Sequence, residues 1–183
     1  AVYVGCAGGL DTVATTKVAR VKPSAALSPY RISVTGLRGG HSGCDIHEGR
    51  VNAIKVLARA LSAASALGYA AATLDGGSKR NAIAREGFVS GWLDPVKEPE
   101  VKAALAKLEA DVRSEAGRFD YPVNVGIERV DAAPEPIADA DMRRIVAFLH
   151  AAPHGVLGWS PDIPNLVQTS TNLAIVETKD DVV

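Results

Sequence analysis

The residues best suited to chemistry lie in one stretch, Gly36-Leu37-Arg38-Gly39-Gly40-His41-Ser42-Gly43-Cys44-Asp45-Ile46-His47-Glu48-Gly49-Arg50-Val51-Asn52. His41 is the first candidate. Its imidazole can donate a hydrogen bond to a carbonyl oxygen and can carry charge near neutral pH. The plain alternative is a loop histidine bonded to a local carbonyl. Glycines at 36, 39, 40, 43 and 49 free the backbone to take positive φ and to approach a ligand closely. The same loop offers a second possibility, a chelate of His41, Cys44, Asp45 and His47. Structural zinc sites usually draw on two separated ligand pairs, and this loop has no distant fourth ligand. A serine nucleophile at Ser42 fits poorly, because a nucleophile elbow needs glycine two residues on and Cys44 stands there.

Two further polar clusters follow. Arg80-Asn81 comes after Gly76-Gly77, and an Asn amide can both donate to and accept from a peptide. Asn in a turn is also the residue's commonest use. Ser170-Thr171-Asn172 lies on an expected strand, where alternating Ser and Thr suit a solvated face. His150 and His154 have no carboxylate at a ligand-like spacing. Gly5-Cys6-Ala7-Gly8-Gly9 is not a dinucleotide fingerprint, since no βαβ unit with a following acidic residue surrounds it. It reads as a hinge-like turning segment. The sequence therefore offers groups that bind and polarise, and no complete catalytic centre.

The elements around these groups are legible from periodicity. Tyr30, Ile32 and Val34 alternate with Arg31, Ser33 and Thr35, which predicts a half-buried strand. The glycine loop then leads into a helix over about 50–67, with Ile54, Leu57, Leu61, Ala64 and Leu67 as its stripe and Gly68 as its stop. Tyr69–Leu74 and Glu86–Leu93 are expected as neighbouring antiparallel strands. A helix over 98–115 carries Val101, Leu105, Leu108 and Val112 and ends at Gly117. A strand over 121–130, a helix over 138–150, a loop over 155–165 and a last strand over 166–176 complete the chain. Ala1–Gly5 reads as a strand, and 11–26 as a weakly structured segment or an extended connector. From Tyr30 the order is β-α-β-β-α-β with an extra helix and terminal strands. That predicts an α+β, ferredoxin-like sandwich with hinge-like terminal strands. The expected domains are a connector over 1–27, a central body over 28–176 and a return crossing over 177–183.

Composition narrows the partners. The formal charge of −1 gives no long-range field for nucleic acid or an anionic membrane. No apolar run reaches the roughly 18 residues of a membrane span. Two lone cysteines, Cys6 and Cys44, suit a reducing compartment, so a cytoplasmic location is expected. Both ends read as cut from a longer polypeptide.

The glycine loop resembles one family. Val34-Thr35-Gly36-Leu37-Arg38-Gly39-Gly40-His41-Ser42-Gly43, Asp45-Ile46-His47, Gly49-Arg50 and Asn52-Ala53 look like the aminoacyl-histidine dipeptidases, also termed peptidase D or Xaa-His dipeptidase. Three other segments agree in order: Gly5–Gly9, then Gly76-Gly77 with Arg80-Asn81-Ala82-Ile83, then Ser160–Pro164 with Thr169–Leu173. The resemblance implies an inserted lid, or dimerisation, domain within a dinuclear-zinc exopeptidase. It implies that two zinc ions and a general-base Glu belong to polypeptide outside this chain, where a zinc-activated water attacks the peptide carbonyl. It implies a homodimer, a parent catalytic domain as partner and a dipeptide substrate. In that family the matching histidine reaches an active site, in dimers that of the partner subunit, and contacts the substrate carbonyl. By the same resemblance Asn81 contacts substrate, although Ala82-Ile83-Ala84 lacks the Pro that relatives carry there. No Arg stands near Leu93-Asp94, where many relatives hold the substrate carboxylate, so Arg80 and Asn172 become the candidates for that role. A non-catalytic interaction or dimerisation module is the competing expectation.

Overall fold

The computed structural model describes residues 7–116 and 122–183. The expected strand at 1–5, the helix stop at Gly117 and the strand start at Tyr121 lie outside those residues. In chain order, β1 is Ser28–Thr35, β2 is the short Gly40–His41 and α1 is Ala53–Ser65. Next come β3, Ala70–Gly76, β4, Ala82–Ile83, and β5, Gly87–Leu93. α2, Glu98–Ala116, and β6, Asn124–Arg129, are followed by α3, Asp139–Ala151. β7, Gly155–Trp159, β8, Val167–Thr171, and β9, Val176–Glu177, end the series.

The main sheet is antiparallel in the order β6-β1-β5-β3-β9. β1 sits between β5 and β6 because its two faces differ. Tyr30, Ile32 and Val34 are wholly buried, while Arg31, Ser33 and Thr35 are half-buried. The buried face packs on the helices through Leu57, Leu61, Val89, Val101 and Leu105. On the opposite face the Arg31 guanidinium stacks 4.1 Å from the Phe88 ring centroid, a favourable cation–π placement. The α+β sandwich follows, with the expected β-α-β-β-α-β order in place.

α1 and α3 each have an identifiable start or stop. α1 begins at Ala53, later than the start near residue 50 expected for it, because the Asn52 side chain caps it, accepting from the Ile54 amide at 2.8 Å. It ends where Gly68, at φ 94°, turns the chain so that the Tyr69 amide bonds to the Ala64 carbonyl. α3 is closed by a side chain from α1. Lys55 Nζ donates to the carbonyls of Leu149, His150 and Ala152 at 2.7, 2.8 and 2.9 Å. Burial holds the Lys55 amine below the usual lysine range.

The loop expected at 155–165 is a correction. β7 pairs with β8 as a separate hairpin, and the single last strand expected over 166–176 is two strands, β8 and β9. Pro161 and Pro164 lie only in the connecting turn, where Ser160 Oγ accepts from the amides of Asp162 and Ile163. Register shifts on both sides of Gly158 break the alternation that would have shown the strand.

The segment over 11–26 forms no named strand or helix, and near Thr16–Val18 it runs antiparallel to the last residues. Thr16 and Val183 exchange both backbone hydrogen bonds, at 2.8 and 3.0 Å. Arg20 fastens this pair to the sheet, donating to the Ala72 carbonyl at 2.6 Å and to Asp181 at 3.1 Å. At the other sheet edge the Val125 amide is covered by Glu109, 2.9 Å away, and Arg113 donates to the Val123 carbonyl at 2.9 Å. Charged side chains laid along an edge strand discourage further strand pairing.

Candidate functional site

The glycine loop and the Arg80-Asn81 turn meet although they are far apart in sequence. β2 and β4 form a two-residue antiparallel ladder in which His41 faces Ala82 and Gly40 faces Ile83. Beside it the Ser42 amide donates to the Asn81 carbonyl at 2.9 Å. The Ala84 carbonyl then accepts from Ala53 at 2.8 Å, so the ladder is joined to the start of α1.

Arg50 organises the loop from within. It is 9% exposed. Its Nη1 donates to the Gly39 carbonyl at 2.7 Å and to Asp45 Oδ2 at 2.9 Å, and its Nε donates to Glu48 at 2.8 Å. Asp45 Oδ2 also accepts the His41 amide at 2.8 Å. That backbone bond, with Arg50 beside it, holds the Asp45 carboxyl below its ordinary range. Arg50 does the same for Glu48. Gly40 lies at φ 146°, and a Cβ there would stand 1.9 Å from Arg50 Nη1. Only glycine allows the guanidinium to approach the backbone at this point.

The His41 ring is held by its own loop. Nδ1 accepts from the amides of Gly43 and Cys44 at 3.0 and 3.2 Å. An accepting Nδ1 in a neutral ring places the proton on Nε2. The side chain is exposed, and Nε2 makes no hydrogen bond among the described residues. The loop therefore presents one oriented N–H donor.

The Asn81 carbonyl is used by Ser42, while its side-chain amide has no bond among the described residues. Arg80 pairs with Asp11 at 2.7 Å, both side chains being largely exposed. Asn172 is placed differently from an open binding residue. Its Nδ2 donates to the Ala82 carbonyl at 2.8 Å and to the Arg80 carbonyl at 3.4 Å. Its Oδ1 is buried with no partner.

Three contributors had little or no local signal. Arg50 stood only inside a loop motif. Asn52 immediately precedes an apolar-periodic run, which is an N-cap signal; its Nδ2 also donates to the Leu173 carbonyl at 2.8 Å and lies 3.3 Å from His154 Nδ1. His154 has no local signal at all. Burial holds it below the ordinary histidine range, against a hydrogen bond to the Arg50 backbone, and the nearby Lys55 charge adds to the lowering.

The chelate at 41–47 does not assemble. His41 Nδ1 and the Asp45 carboxylate are committed within the loop, and among the described residues no group of three or more His, Cys, Asp or Glu could hold a metal. The two loops carry the His41 imidazole, the Asn81 side-chain amide and the Arg80 guanidinium, which is paired with Asp11. Each is a group able to donate to a carbonyl or a carboxylate.

Residues 32–120 match the family model of the peptidase dimerisation domain. Over 181 residues the chain is 29% identical to the cytosol non-specific dipeptidase of Escherichia coli (strain K12), covering 98% of this chain and 37% of that protein. The crystal structure of aminoacylhistidine dipeptidase from Vibrio alginolyticus superposes with a TM-score of 0.87 at 32% identity, covering 92% of this chain and 34% of that one. The chain thus spans little more than a third of the length of either relative.

Proposed function

For a chain that carries a peptidase dimerisation domain at residues 32–120 and is homologous to two dipeptidases, we propose the role of lid in a cytoplasmic, zinc-dependent dipeptidase that hydrolyses Xaa-His and other dipeptides. The observation that carries this proposal is His41. Its exposed ring is fixed by two loop amides, and its backbone pairs with Ala82, the residue after Asn81.

In this proposal His41 donates to the carbonyl oxygen of the scissile peptide as negative charge gathers there. A donor aimed at such an oxygen is worth roughly 100- to 1,000-fold in turnover. Asn81 binds the substrate backbone through its open side-chain amide. Arg80 receives the substrate carboxylate by exchanging its exposed partner Asp11, an ion pair of small net worth in water. Asn172 Oδ1 is the remaining acceptor near that turn. The described residues do not fit a metal, so both zinc ions are assigned to the parent catalytic domain and no step is routed through them. The assembly is proposed as a homodimer in which the lid closes over a dipeptide. A dimerisation module without a catalytic role is the competing possibility; similarity to a dipeptidase over 98% of the chain favours the enzyme.

The test is an amine-release assay on the full-length enzyme, loaded with zinc, against a panel of Xaa-His dipeptides. Cleavage by the full-length enzyme and none by the 183-residue chain is expected. Failure of the full-length enzyme to cleave any dipeptide, or zinc-dependent cleavage by this chain alone, overturns the proposal.

A further inference from the structure

The ladder that carries His41 is only two residue pairs long. Isolated two-stranded pairings are marginal in water even when longer, so something outside the ladder must hold it. The stretch between β8 and β9 does so with three consecutive residues. Asn172 Nδ2 donates to the carbonyls of Ala82 and Arg80. The Leu173 carbonyl accepts from Asn52, the cap of α1, at 2.8 Å. The Ala174 carbonyl lies 1.9 Å from where a Cβ of Gly77 would stand, and Gly77 is at φ 71°. With the Ser42 amide on the Asn81 carbonyl, every carbonyl from Arg80 to Ala82 is fixed by a residue from elsewhere in the chain.

We infer that Asn172 is a positioning residue for His41 and Asn81, and that 172–174 is a strap setting the register between the two loops that carry them. A leucine of similar size at 172 would remove the orphaned Oδ1. It would also remove both donors, and the donors are what the turn uses. The strap continues into β8 on one side and into β9, on the main sheet, on the other. It therefore ties a two-residue ladder to rigid structure. Its catalytic consequence rests on the proposed role of His41, whereas its effect on the loops does not.

The test uses Asn172→Leu and Asn172→Asp, both close in size to the native residue. Amide hydrogen exchange in the 183-residue chain should rise at least about tenfold at Ser42 in both variants, with the core amide of Ile32 unchanged. In the full-length enzyme Asn172→Leu should lower kcat, and should cause a smaller further loss once His41→Ala is present, because part of its effect passes through that group. Gln168→Ala, exposed on the same hairpin, should change neither. Ser42 exchange within about twofold of the native value in both variants overturns the strap. So does an additive kcat loss in the double variant. If Ser42 exchange rises but His41→Ala leaves turnover intact, the strap stands and the role proposed for His41 falls.

Discussion

Gly40→Ala should unfold the glycine loop at a cost readable by equilibrium denaturation. The added methyl carbon would stand 1.9 Å from Arg50 Nη1 and 2.6 Å from Asp45 Oδ2. Backbone at φ 146° is also strained for any residue with a side chain. Arg50 cannot retreat to solvent without leaving the Gly39 carbonyl, because it is 9% exposed. Strain contributes about 1–3 kcal/mol, and a displaced, buried donor about 1–3 kcal/mol more. Relaxation absorbs part of this, so a net loss of about 2–4 kcal/mol is expected, or roughly 5–15 °C in melting temperature for a chain of this size. The comparison is Gly158→Ala, where a new Cβ meets nothing within 4 Å and φ is not positive. That change should stay within about 1 kcal/mol of the native protein. Urea melts of the two variants, side by side, decide the matter. Equal midpoints would refute the claim that Arg50 and the loop backbone are locked together.

Asn52→Ala removes the cap of α1 and the donor to Leu173 together, so a loss of about 2–3 kcal/mol in urea denaturation is expected; a loss below about 0.5 kcal/mol would contradict those two roles. His154 sets a pH dependence of definite sign. Its folded pKa lies below its unfolded value, so the unfolded chain binds the extra proton. Its contribution to stability is complete above about pH 6.5 and is lost as pH falls below that toward the folded pKa. Urea midpoints at pH 7.5, 6.5 and 5.5 should fall in that order, and His154→Gln should flatten the slope; a slope that survives the substitution would assign it to other groups.

The parts legible in the sequence were those encoded locally. Tyr30, Ile32 and Val34 announced a buried strand face by alternation alone, and all three are wholly buried. The α1 stripe was equally plain, though its start belonged to Asn52, whose side chain outcompetes the apolar pattern at the helix end. His41 stood out because glycines surround it. What periodicity could not reveal was pairing at a distance. β2 and β4 are two residues each, too short for any pattern, and only the fold brings Ala82 opposite His41. The hairpin of β7 and β8 was hidden by Gly158 and its register shifts, and by prolines that belong to its turn. Asn172 looked like a solvated strand residue; its donors face two carbonyls contributed by a turn about ninety positions earlier.

The central claim is that His41 lends its Nε2–H to the reacting carbonyl of a substrate held elsewhere. The most direct measurement is kcat and KM of full-length His41→Ala on a cleaved dipeptide, with the urea midpoint measured on the same preparation. A loss of roughly 100- to 1,000-fold falling chiefly on kcat, with the midpoint unchanged, is the predicted result. A kcat within about threefold of the native enzyme, at an unchanged midpoint, would contradict it.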